Sequence, residues 1–373
     1  AYWARDADIY AMAERARGMV INSPELDSYQ FYVALTSSFR PLGGIGHFGF
    51  VDADQYDFII NNEHAWQRWL YSPSAIARLY EPQVVSFYNR YRDRFMPGAP
   101  PSGGIPTTNI LTTSIEEGRI SHLRVGSFWW MNVHGSEYDN EMLNFFNDIR
   151  GYEHLIIDLR NTGGGCASNF TISIMAPNIE QSVRVEGFVF LTQGGYAAGY
   201  YDRALAGGSV NAPQFQSRMY STDTELRPID EMFKEFDLTE FNMADAERLD
   251  YGFRMHMDVV ARHLPRFDSQ PAFDGKIWFL TGPNMGSAIQ LSSWVAKESG
   301  FATLVGEITG GVYGGPRTFV ALPNSGIVFN MDVFYVTDSH GRPLEAGTIP
   351  HYFNREGMDA LETVLAMIEE GQY

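Results

Sequence analysis

The stretch that most narrows what this 373-residue chain can fold into is Ile156-Ile157-Asp158-Leu159-Arg160-Asn161-Thr162-Gly163-Gly164-Gly165. A short buried strand runs into charged residues and then into three successive glycines. Glycines at the C-terminal end of a strand let the backbone turn tightly and present N–H groups to a ligand. Such donors suit a developing oxyanion. A phosphate loop is the rival, but the Lys-Ser/Thr that such a loop needs does not follow. A plain structural turn is the third reading, and this segment alone does not choose among them.

The surrounding pattern is that of an α/β fold. Residues 120–128 alternate as a strand, 137–151 read as a helix and 154–159 as a strand. Strand, helix and strand recur at 276–280, 288–299 and 303–306, and a β-rich stretch spans 317–336. Alternation of this kind predicts a mixed, partly parallel sheet. The first hundred residues are helical instead, over 4–19, 29–39 and near 61–71 and 73–94. Ser23-Pro24-Glu25 offers an N-cap with proline in the first turn. Gly43, Gly44 and Gly46 end the second helix just before His47. The Pro/Gly-rich run 97–106 is the clearest linker. The expected organisation is an N-terminal helical domain (1–103) carrying His47 and an α/β core (104–373). Within that core, about 190–270 reads as an insertion of helices and loops that could cover the site.

Composition limits the partners. A formal charge of −18 disfavours nucleic acid and anionic membrane surfaces, which call for clustered Lys and Arg. No run reaches the roughly 18 to 20 apolar residues of a membrane span. The single Cys166 excludes an intrachain disulfide, and no His-Glu-x-x-His or paired-Cys motif calls for a metal. No cofactor is expected.

A second segment carries chemistry. In Leu280-Thr281-Gly282-Pro283-Asn284-Met285-Gly286-Ser287-Ala288-Ile289-Gln290 a strand passes through a Gly/Pro turn, and a serine opens a helix. The positive end of the helix stabilises negative charge near that serine's oxygen. The plain alternative is that Ser287 is an N-cap.

These segments, in this order, resemble peptidase family S41, the carboxyl-terminal processing peptidases and the tricorn core. The Asp158–Gly164 run is similar to the family's Asp-Leu-Arg-x-Asn-x-Gly-Gly, with one residue fewer before Asn161. Gly286-Ser287-Ala288 is similar to its nucleophile segment, and Val305-Gly306-Glu307-Ile308-Thr309-Gly310 to its Val-Gly-Glu-x-Thr-x-Gly. Leu344-Glu345-Ala346-Gly347-Thr348-Ile349-Pro350 resembles a further family run, and Leu123-Arg124-Val125-Gly126-Ser127-Phe128 its first core strand. Together they cover roughly 120–370.

The resemblance implies a ClpP/crotonase-like core and a serine peptidase acting on peptide or protein substrates. It implies Ser287 as nucleophile, and Gly163 or Gly164 with Ala288 as oxyanion donors. The lysine that processing peptidases place after the Gly-Glu-x-Thr run is absent, since Gly311-Val312-Tyr313 stands there. The tricorn-like branch instead uses a histidine from the N-terminal helical region, which implies His47 as general base and Glu345 as its orienting carboxylate, directly or through a bridge. Where tricorn has serine before that histidine, this chain has Gly46. The segment after His47 is too short and too helical for a PDZ domain. The Met-less start Ala1-Tyr2-Trp3, the aromatic content of 14% and family habit lead to the expectation of a periplasmic or secreted protein.

Other candidates have plainer readings. His122 follows a serine, as in tricorn, but opens a core strand and reads as structural. His340 sits in a turn, His256 and His263 fall in a predicted helical stretch, and Cys166 reads as a small buried hydrophobe. The aromatic runs 128–130 and 199–201 read as core or pocket wall. Two other functions share the fold: a non-catalytic carrier of apolar ligands, like the interphotoreceptor retinoid-binding proteins, and an acyltransferase or esterase with the same triad.

Overall fold

Six strands form the spine, in the order Tyr352–Phe353, Thr303–Gly306, Lys276–Thr281, His154–Asp158, Ile120–Val125 and Ile110–Glu116. All neighbours are parallel except the last pair, so the sheet is mixed and partly parallel, as predicted. The structure, a computed structural model, describes residues 8–23, 25–42, 45–61, 73–95, 110–128, 135–193, 221–222, 226–312 and 317–373. The predicted linker, residues 62–71, Pro24, Gly43-Gly44, Tyr313 and the aromatic runs at 129–130 and 199–201 lie outside the described residues.

Leu155, Ile156 and Ile157 are wholly buried because both faces of the sheet are covered. On one face Ile120, Ile156, Trp278, Leu280 and Val305 pack against Val364, Met367 and Ile368 of the C-terminal helix Ala360–Glu369. On the other, Leu155, Ile157 and Phe279 join the main core with helices Glu137–Asp148 and Ala288–Glu298. A second, antiparallel sheet closes this core. It runs Tyr335–Asp338, Val183–Leu191, Tyr251–Val259 and Ser221–Thr222, with Arg227–Pro228 also on Tyr251–Val259. The span 190–270 is therefore not only helices and loops. Phe253, Met255, Met257 and Val259 alternate into the core, which makes nine residues of it a strand and places His256 there rather than on a helix.

The third sheet joins segments that lie far apart in the sequence. Gly49–Phe50 pairs with Val328–Asp332, which pairs with Arg317–Ala321. Helices Ser28–Ser38, Ala53–Asn61 and Pro82–Phe95 pack on it through Tyr32, Tyr56, Tyr88, Phe87, Phe319 and Val328. The N-terminal helices thus rest on a hairpin from beyond residue 316. Helix Ser28–Ser38 is capped by Asp27, in a reciprocal box with Gln30, not by Ser23. Pro82 splits the predicted 73–94 helix, because a proline interrupts the ladder and starts a new helix. Among the described residues no helix is long and apolar enough to cross a membrane.

Candidate active site

Strand Lys276–Thr281 delivers the turn 282–286, and Ser287 stands at the mouth of helix Ala288–Glu298 with φ 56° and ψ −123°. A non-glycine residue in this region is strained and persists only where its surroundings over-determine it. Here its N–H donates to the carbonyls of Gly311 and Val312, each at 3.1 Å, and Gly286 and Gly311 form a bridge beside it. Val312 itself has φ 60°, unusual for a β-branched residue. The Ser287 side chain makes no cap bond to its own helix. Its Oγ instead lies 3.0 Å from Nε2 of His47.

His47 sits in the short turn Ile45–His47, where both Gly46 (φ 53°) and His47 (φ 48°) have positive φ. Its Nδ1 lies 2.8 and 3.0 Å from the two carboxylate oxygens of Asp332. A carboxylate there accepts, so Nδ1 carries the proton and Nε2 is left to accept from the serine hydroxyl. Asp332 ends strand Val328–Asp332 with its side chain fully buried, and Arg317, its register partner, has Nε 4.0 Å from Oδ1. Burial is the main influence on His47 and pushes its pKa below the usual 6.5. The Asp332 charge pulls it partly back, and Arg317 opposes that. The ring is therefore neutral at neutral pH.

The predicted site residues divide accordingly. Ser287 and His47 meet. Glu345 does not reach the imidazole: both ring nitrogens are engaged elsewhere, and Glu345 Oε1 accepts from the Gly46 N–H at 3.0 Å. The carboxylate on the far nitrogen is Asp332, which the sequence reading missed. The available signal was Asn330 and Asp332, two polar residues at spacing two in an otherwise apolar strand.

Gly163 is also corrected. Its N–H donates to the Gly126 carbonyl at 2.8 Å, within the pairing of Ser127–Phe128 with Gly163–Gly165, and so is not free for a ligand. The register of that pair skips Gly164. A Cβ on Gly164 would stand 3.7 Å from Ser287 Cβ and 3.9 Å from Oγ, so this backbone lies directly against the hydroxyl. Ala288 opens the serine's helix, where first-turn N–H groups have no intrahelical partner.

A buried polar network ties the remaining motif pieces to that helix. Gln290 Nε2 donates to Thr348 Oγ1 at 3.0 Å, Thr309 Oγ1 donates to Gln290 Oε1, and Thr348 N–H donates to Thr309 Oγ1 at 2.6 Å. Asp158 holds the Arg160 guanidinium through two 2.8 Å bonds, and Arg160 reaches Asp359, the cap of the C-terminal helix. Burial pushes Asp158 up, but Arg160 and His122 outweigh it and hold the carboxyl below the usual range. That run is thus a brace.

The other candidates keep away from Ser287. His122 lies 3.5 Å from Asp158, His263 Nε2 is 3.2 Å from the Ile179 carbonyl, and His340 contacts Ser339 in an exposed turn. Burial raises the Cys166 thiol pKa, which opposes a thiolate nucleophile. Among the described residues no His, Cys, Asp and Glu group is arranged to hold a metal.

Comparison with known proteins bears on the whole arrangement. The profile of peptidase family S41 matches residues 119–353. Among solved structures, a protein from Parabacteroides merdae ATCC 43184, provisionally described as a peptidase, superposes with TM-score 0.51 at 15% identity, over 98% of this chain and 89% of that one. A lipoprotein from Streptococcus agalactiae gives 0.45 at 10% identity, over 99% and 90%. Mature CPAF complexed with lactacystin gives 0.42 at 17% identity, over 73% and 54%. At these identities the likeness speaks to the fold alone. No curated protein sequence matches the chain.

Proposed function

Since the chain belongs to peptidase family S41, we propose that it is a serine peptidase with Ser287 as nucleophile, His47 as general base and then acid, and Asp332 as the carboxylate that fixes the imidazole. One observation carries this reading: Ser287 Oγ lies 3.0 Å from His47 Nε2 while Nδ1 of the same ring rests on Asp332. A serine hydroxyl attacks a carbonyl only if its proton has somewhere to go, and a neutral imidazole accepts it near pH 7. The Oγ–C bond forms, the proton moves to Nε2, and Asp332 stabilises the imidazolium. The amides of Gly164 and Ala288 receive the oxyanion, each worth about 3 kcal/mol of barrier. Nε2 then returns the proton to the leaving amine as the C–N bond breaks. Water, deprotonated by the same ring, releases the acyl group and restores the hydroxyl.

Support also comes from what the site costs. Ser287, His47 and Val312 are three of the five described non-glycine residues with positive φ. A carrier of apolar ligands gains nothing from strain gathered on a hydroxyl and an imidazole, whereas a nucleophile does. The same triad would serve ester cleavage or acyl transfer, and the family favours peptide bonds. Action in the periplasm or after secretion belongs to the same proposal.

The decisive experiment is labelling with a fluorophosphonate probe. The wild type forms one adduct, mapped to Ser287 by peptide mass, and Ser287→Ala and His47→Ala form none. An adduct that persists in Ser287→Ala removes the assignment. On a fluorogenic peptide, kcat/KM falls as pH drops through the His47 pKa. Because burial lowers that value, the half-point lies below 6.5; a half-point above 6.5 contradicts the buried-base reading. Gly164→Ala adds a methyl at ordinary contact distance from Ser287, where the substrate carbonyl must sit. Its expected loss is about 10²-fold in kcat/KM, with an unchanged urea midpoint.

A further inference from the structure

His47 occupies a backbone conformation that disfavours any side chain, and so does the residue before it. Left-handed φ on a non-glycine residue costs about 1–2 kcal/mol, so the turn relaxes unless other groups hold it. Two side chains from distant parts of the chain do so. The Asn330 amide donates to the His47 carbonyl, and Glu345 accepts the Gly46 N–H. Asn330 lies two residues before Asp332 in one strand, hence on the same face. That strand therefore grips His47 twice, once by its main chain and once by its ring. Glu345 arrives from the turn Leu344–Ala346 and is buried.

We infer that Asn330 and Glu345 are positioning residues that clamp the Gly46-His47 turn, and that Glu345 acts as a hydrogen-bond acceptor rather than as the charge partner of the imidazole. The inference rests on the reading of His47 as the base. The two residues act on the base through the backbone, Asn330 at the His47 carbonyl and Glu345 at the Gly46 N–H. An acceptor for a backbone amide needs an oxygen, not a charge, so glutamine serves in place of glutamate while alanine leaves a buried N–H without a partner. Removing the Asn330 amide frees the carbonyl of His47 in the same way.

The test uses Glu345→Ala, Glu345→Gln and Asn330→Ala in the intact chain, with two readouts. The first is the second-order rate of fluorophosphonate labelling. The expected result is a loss of about 10–100-fold for both alanine variants and a rate within about threefold of wild type for Glu345→Gln. The second is the downfield Nδ1–H proton of His47, assigned by its absence in His47→Ala. It persists in Glu345→Gln and broadens or disappears in both alanine variants.

Equal losses in Glu345→Gln and Glu345→Ala mean that the carboxylate charge is what matters, and they overturn the acceptor role. Wild-type labelling and an intact resonance in both alanine variants overturn the clamp. If the alanine variants do not fold, Glu345→Gln against wild type still decides whether charge is required. A wild type that takes no label sinks the peptidase reading instead, and the proton resonance then judges the clamp alone.

Discussion

Asp332→Asn lowers kcat by about 10⁴-fold, the size of effect seen when the buried aspartate of a serine-protease triad is amidated. An asparagine can present an N–H to Nδ1, which must then accept. The ring proton moves to Nε2, and the serine hydroxyl faces a donor instead of a base. The substrate still binds, so KM changes little and the loss sits in the chemical step. The measurement is kcat on a fluorogenic peptide beside a urea unfolding curve. A loss below tenfold in a protein with an unchanged midpoint would show that His47 does not depend on Asp332 for its tautomer.

Gly306→Ala has the largest expected effect on stability. Gly306 has φ 143°, and a Cβ there would lie 2.1 Å from the Thr281 carbonyl oxygen and 2.8 Å from Thr281 Oγ1. Those residues are the last pair between two neighbouring strands of the main sheet, so neither backbone can yield without opening that end of the ladder. The expected cost is on the order of 3 kcal/mol or more. It should be read as a lower urea midpoint at constant m value, or as loss of soluble protein. A variant that unfolds at the wild-type midpoint would mean the two strands can separate at this point.

The same glycine explains why part of the fold was legible. Gly306 belongs to a motif whose spacing from Ser287 is set by one helix and one strand, both local. The apolar run at 154–158 and the serine-bearing turn were readable for the same reason. His47 was found through its place after the N-terminal helices. Asp332 was not, because nothing local to residues 328–332 reveals that Gly49 and Phe50 pair with them. The motif around Glu345 points to the right neighbourhood but not to the bond: Glu345 accepts from the amide one residue before the imidazole. The strand Tyr251–Val259 is a different failure. Its Phe253, Met255, Met257, Val259 alternation is present in the sequence, but the surrounding Tyr-, Asp- and Met-rich stretch masks it.

The contact between His47 and Asp332 spans 285 positions. Synthesis at about 5–20 residues per second separates the emergence of the two by roughly 15–60 seconds. Throughout that interval the imidazole has neither its carboxylate nor, until residue 287 appears, its hydroxyl. If the triad acts as proposed, a growing polypeptide is therefore unarmed while its own unfolded segments are most open to cleavage, and becomes competent only when the segment around residue 47 has closed on those around 287 and 332.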